Sequence, residues 1–260
     1  MKIFLKILKY QLKDSVRSRW FIFYGIFFIL ITELLFRFGG DESKTFVGLM
    51  NVAVILIPLV SIVYGVIYVY SIRDYIELLL AQPIKRSGLY SGIYFGLTIP
   101  MSAAYLIGIS IPYLIRGLAS WNIFLTLTAS GVLLSFIFTG FAILFSIIFD
   151  EKSAGIGLSF LFWLSFSVIY DALIMLILWR FGDYPMENIM IFFSLLNPID
   201  LGRILIMLQF DAAALMGYTG AVFQKFFGGG FGIAISISAM TAWIVIPFLV
   251  GMRIFKNKGF

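Results

Sequence analysis

The chain predicts an all-α membrane protein with six transmembrane helices. An amphipathic helix precedes the first span, and short interfacial or re-entrant helices precede the last. Three observations carry this prediction. Hydrophobic residues make up 62% of the chain and charged residues 12%, whereas soluble domains carry about 25% charged residues. Six apolar stretches reach the roughly 20 helical residues that a hydrocarbon core requires. None alternates with the period of two expected of a barrel strand, and backbone groups in lipid must be satisfied within the element itself. The 260 residues therefore read as a single transmembrane domain.

Residues 1–19 predict a helix lying in the membrane plane. Ile3, Phe4, Ile7, Leu8, Leu12 and Val16 share one face, and Lys2, Lys6, Lys9, Lys13 and Arg17 another. The helix turns into the first span at Trp20, an interfacial residue type. The spans are expected at Trp20–Phe38, Val47–Tyr70, Gly92–Leu114, Trp121–Phe149, Ala154–Trp179 and Phe231–Phe255. The connections at Gly39–Phe46, Arg116–Ser120 and Asp150–Ser153 are too short to form a domain.

Two connections are longer. Residues 71–90 place Arg73, Asp74 and Glu77 within about one helical turn, followed by Leu78–Leu80. Pro83 ends the helix, and Lys85 and Arg86 lead to a glycine before the third span. Residues 180–230 have too many breaks and charges for a span and too many apolar side chains for a solvated loop. Asn197-Pro198 is a break, with Pro198 suited to the first turn of a helix. Ile204, Leu205 and Leu208 then form a stripe beside Arg203. Asp211 is expected to cap Ala212–Met216, and a turn is expected around Tyr218. Two or three short helices at the outer leaflet fit this pattern.

Basic residues set the orientation. With the N-terminus inside, thirteen of the nineteen Lys and Arg lie on inner segments. Both termini are then cytoplasmic, and the formal charge of +6 reads as topology, with no nucleic-acid partner. Residues 1–18 are too charged for the apolar core of a cleavable signal peptide. The chain has no cysteine and no histidine, which removes thiolate sites and the commonest metal ligand and general base. Gly228–Gly230 lack the Lys-Ser/Thr of a nucleotide-binding loop. No catalytic or metal-binding residue is expected on this chain; any ATP and magnesium belong to another.

Asp171 is the residue that costs most to bury, roughly 12 Å inside the fifth span by helical rise. A carboxylate at that depth costs about 2.5 kcal/mol or more, so it is expected to face the bundle and find a partner or a proton. Glu33 and Arg37, four apart in the first span, suggest a self-contained ion pair. Met186, Met190, Met207 and Met216 are softer candidates as copper ligands, but packing explains them better. Gly92 with Gly96, and Gly155 with Gly157, are expected to permit close helix approach.

This pattern of spans, basic leading helix, charged helix and broken segment resembles the permease subunits of ABC-2 type transporters along the whole chain. Within that group Leu195–Arg203 (LLNPIDLGR), Met216–Phe223 (MGYTGAVF) and Tyr170-Asp171 look like the permeases serving copper-site assembly of nitrous oxide reductase. The resemblance implies an inner-membrane homodimer, two cytoplasmic ATPase subunits, and a periplasmic protein that holds the copper. It implies an ATPase-coupling role for Arg73, Asp74, Glu77, Pro83, Lys85 and Arg86. It also implies a periplasmic contact formed by Asn197, Pro198, Asp200, Arg203, Leu208, Tyr218 and Phe223. The other function open at this point is an ABC-2 exporter of a lipid, peptide or drug, with Asp171 lining the path.

Overall fold

The computed structural model describes residues 2–117, 120–181, 187–209 and 230–258, and these contain helices joined by short turns, without a strand. Six helices are long and apolar enough to cross a membrane. In chain order the helices are α1 (Lys2–Arg17), α2 (Arg19–Phe38), α3 (Glu42–Ser71), α4 (Arg73–Leu80), α5 (Arg86–Arg116), α6 (Trp121–Ile148), α7 (Lys152–Phe181), α8 (Glu187–Leu196), α9 (Pro198–Met207) and α10 (Gly230–Asn257). Residues 210–229, with Met216, Tyr218 and Phe223, lie outside the described residues, as do Met186 and the side chains of Lys2, Ile3, Phe4, Lys6, Val16 and Arg17.

Two spans start earlier than the sequence suggests. Helix α3 begins at Glu42 because the Asp41 carboxylate accepts a 2.8 Å hydrogen bond from the Lys44 amide, capping the first turn. The expected loop thus shrinks to a turn at Gly39–Asp41, where Gly40 has φ +85°. Helix α5 begins at Arg86, immediately after the extended Lys85. At about 1.5 Å per residue these helices exceed a core of about 30 Å, so their ends project from it.

Helix α6 is the most enclosed span. It packs against α3, α5, α9 and α10. Small residues set the spacings, as expected where close approach rather than water exclusion drives association. Gly65 of α3 faces Ala142 of α6, where an added Cβ would come within 2.7 Å of the alanine methyl. Gly131 of α6 lies under the Tyr105 ring, whose hydroxyl donates to the Leu127 carbonyl at 2.9 Å. On α2, Phe21, Tyr24, Phe28 and Thr32 form the buried stripe, and Phe28 seats against Gly108 of α5.

The Gly92/Gly96 pair does receive a helix, and that helix is α1. Ile7 fills the space over Gly92 and Gln11 the space over Gly96. Gln11 is buried there and accepts a hydrogen bond from the Tyr68 hydroxyl, which also lies 3.3 Å from Asp14. The leading helix is thus bolted to α3 and α5. Gly155 likewise lies close against Tyr70, but Gly157 has nothing within 4 Å. Gly157 lies two residues along α7 and so points away from the α3 face that Gly155 meets.

Candidate functional site

Polar chemistry gathers at two places, one at the α4 end of the bundle and one beside the fifth span. At the α4 end, Ile72 and Arg73 follow directly on α3, and α4 anchors itself by burying Ile76. Its other face is open: Leu78 is 69% exposed, and Asp74, Tyr75 and Glu77 are exposed beside it. The helix stops at Leu80, three residues before Pro83, as the sequence suggests.

The two arginines expected to serve coupling turn inward. Arg73 donates to the Asp150 carboxylate at 2.7 Å and to the Asp150 carbonyl at 3.0 Å, and lies 3.5 Å from Glu77. Arg86 donates to the carbonyls of Lys256, in the last turn of α10, and Lys258, just past its end, at 3.0 and 2.6 Å. Lys258 donates to Asp150 at 2.7 Å and to the Ile147 carbonyl in the last turn of α6. Tyr70 closes the same corner by donating to the Phe149 carbonyl at 2.7 Å. Lys258, and then Arg73, hold the Asp150 carboxyl below the usual carboxylate range. Asp74, Glu77, Pro83 and Lys85 remain exposed.

Asp150, Lys258 and Tyr70 were not candidates from the sequence. Asp150 and Lys258 are 108 positions apart, and only the fold makes them neighbours.

Beside the fifth span, α7 contains a π-helical turn at Ser165–Ile169. Such a turn disturbs the regular carbonyl pairing of the helix. Asn197, in the break between α8 and α9, donates its amide to the Phe166 carbonyl at 2.9 Å and accepts from the Ile199 amide with its oxygen. Pro198 occupies the first turn of α9, as expected. Tyr170 donates to the Phe193 carbonyl at 2.5 Å, and Trp243 of α10 donates to the Leu195 carbonyl at 3.2 Å.

Asp171 finds its partner here. One nitrogen of Arg203 lies 3.0 Å from Asp171 and 3.2 Å from Asp200. Burial pushes the Asp200 carboxyl up; Arg203 works against this shift and Asp171 with it. The same guanidinium therefore compensates two acids in a poorly hydrated place.

This geometry bears on the residues expected to meet a periplasmic partner. Asn197 is fully buried, Pro198 is buried and Asp200 is 7% exposed. Arg203 and Leu208 are half-buried. Among the described residues of the segment, the exposed ones are Ile189, Phe192 and Leu196, on α8. Hence Asn197, Asp200 and Arg203 act within the chain, locking the α8–α9 hairpin to α7.

Glu33 requires a correction. It pairs with Arg116 at the end of α5, 2.5 Å away, while Arg37 is exposed. The i, i+4 spacing is right for Arg37, but α5 packs on α2 and brings a fixed guanidinium to the carboxylate, with a second nitrogen at 3.4 Å.

An apolar groove of about 660 Å³ lies between α5, α6, α9 and α10, with Leu106, Leu125, Leu133, Leu205 and Ile237 on its walls. Among the described residues no group of three or more acidic side chains is placed to hold a metal ion.

Six helices able to cross a membrane, a short charged helix between the second and third, and a broken helical segment before the sixth define a multi-pass membrane protein. No family model matches the chain. It is similar to two proteins each named probable ABC transporter permease protein NosY. That of Pseudomonas aeruginosa is 24% identical over 278 residues, covering 100% of this chain and 98% of the relative. That of Stutzerimonas stutzeri is 24% identical over 274 residues, covering 97% of each. A likeness through every span supports an ABC transporter permease subunit.

Proposed function

We propose that the chain is the membrane subunit through which a separate cytoplasmic ATPase, similar to NosF, drives a periplasmic copper-handling partner, similar to NosD, in maturation of nitrous oxide reductase. The observation that carries the coupling part is α4. It is held to the bundle by Ile76 and Arg73, and it presents Asp74, Tyr75, Glu77 and Leu78 outward as a short amphipathic ridge. A ridge of that size fits a groove on a soluble motor. The NosY-named relatives, together with Leu195–Arg203, Met216–Phe223 and Tyr170-Asp171, carry the copper part.

In this reading the α4 end is cytoplasmic, two copies of the chain assemble in the inner membrane, and the segment from Glu187 to Phe223 faces the periplasmic protein. ATP and magnesium stay on the ATPase. With no cysteine or histidine on this chain, the copper stays on the periplasmic partner, and the membrane subunit passes on conformational change.

Affinity purification from cells expressing the whole gene cluster, in mild detergent, tests this. Recovery of both an ATPase and a periplasmic protein is expected, and Leu78→Glu should release only the ATPase. Recovery of the ATPase alone would overturn the copper assignment. Recovery of neither would overturn the transporter assignment. The apolar groove supports a second reading, an exporter of a lipid-like substrate; in that case the ATPase activity of the complex should rise with added lipid and no periplasmic protein should co-purify.

A further inference from the structure

The contacts at the α4 end close a ring. Arg73 opens α4 and holds Asp150; Asp150 holds Lys258; the turn carrying Lys258 offers its carbonyl to Arg86; and Arg86 opens α5. The chain itself links α4 only to α3 and α5. The ring adds the α6–α7 connection and the end of α10. We propose that Lys258 is a positioning residue that, through Asp150, makes α10 and the α6–α7 connection move with α4. This inference rests on the reading of α4 as the ATPase-docking helix.

The placement of charge argues for a built device rather than a chance surface contact. Cations are favourable at helix C-termini, where the last carbonyls lack partners. Lys258 sits at the end of α6 and Arg86 at the end of α10, each donating to such carbonyls. Arg73 is the opposite case, because a cation in the first turn of α4 is disfavoured by the helix dipole. Its bidentate contact with Asp150 offsets that cost, so α4 depends on Asp150 being in place. Lys258 fixes Asp150 from the other side, and its side chain is only 17% exposed although it ends in an ammonium.

The chain contains no cysteine, so spin labels can be attached at Ala81→Cys, at the end of α4 and outside the docking ridge, and Arg253→Cys on α10. Both sites are exposed. The labelled subunit, diluted with unlabelled copies so that each assembly carries one labelled chain, is assembled with its ATPase in nanodiscs and measured by pulsed dipolar spectroscopy without nucleotide and trapped with ATP and vanadate. In the otherwise unaltered protein a single narrow distance distribution is expected in both states, because the two helices travel together. Lys258→Ala should broaden or split the distribution on trapping while the ATPase still binds and hydrolyses ATP. Lys258→Arg should restore it. An unchanged distribution for Lys258→Ala in both states would overturn the inference alone. Failure of the unaltered chain to capture an ATPase would overturn the docking reading, and the inference with it.

Discussion

Arg203 is the residue that ties the acid of the fifth span to α9. It holds Asp171 and Asp200 with one nitrogen, and Asp200 is buried. Asp171→Asn keeps a hydrogen-bonding group of the same shape, so assembly and function should survive; a stable but inactive variant would point instead to ionisation at work. Arg203→Met is different, because it strands two carboxyls. A loss of roughly 1–3 kcal/mol is expected, read as a lower melting temperature in detergent. Combining it with Asp171→Asn should cost less than the sum of the two. At the other pair, Arg116→Ala should cost up to about 1 kcal/mol and Arg37→Ala within about 0.5 kcal/mol. The reverse order of stability loss would restore the i, i+4 pairing that the spacing alone suggests.

At the scale of the element, the leading helix depends on two glycines rather than on lipid alone. Gly96→Leu would drive a side chain into Gln11. It should lift α1 from α5 and break the Gln11–Tyr68 hydrogen bond. Faster hydrogen exchange and proteolysis confined to residues 2–17 would report this. Gly157→Ala has open space and should stabilise α7 slightly, by about 0.5–1 kcal/mol. How legible these elements were depends on how local their causes are. The six spans follow from apolar length. The stop before Pro83 and the start at Pro198 follow from proline's missing N–H. The glycine pair at Gly92 and Gly96 announces close packing, but its partner cannot be read from spacing. The bond between Asn197 and the Phe166 carbonyl was equally hidden, because a π turn leaves no signature in hydrophobic periodicity. Asp150 looked like an ordinary loop charge, since its partners come from helices far away in the chain.

At the scale of the whole molecule, the spans divide into an enclosed core of α3, α5 and α6 and the more open α2, α7 and α10. The ring at the α4 end is one polar tie between the two groups, beside the Arg116–Glu33 pair, and its response to solution conditions can be stated. The Asp150 carboxyl lies below its ordinary value because of Lys258 and Arg73. A depressed carboxyl contributes stability that is complete above its unfolded pKa of about 3.9 and is lost as pH falls through the lower folded value. Changes between pH 6 and 8 should therefore leave the ring intact. Salt should loosen it, since Asp150 is 68% exposed and exposed charges are screened within about 8 Å at physiological ionic strength. Label distances between α4 and α10 should broaden with added salt but stay constant across that pH range; the opposite dependence would show that another group controls the joint.

The π turn in α7 has a consequence for how that helix addresses its neighbours. One extra residue in a turn rotates everything beyond it by about 100° relative to an uninterrupted helix. Before the turn, Gly155 looks towards α3; after it, Tyr170 and Asp171 look towards the α8–α9 hairpin. The fifth span is therefore two helices in series with a phase slip between them, like a key cut differently on its two halves. The extra residue is what gives the second half this facing. Drawn into a regular α-helix of the same length, residues 165–169 would turn Asp171 about 100° away from Arg203 while every apolar side chain remained apolar. A hydropathy profile would register no change, yet the hairpin would lose both its charged partner and its seat.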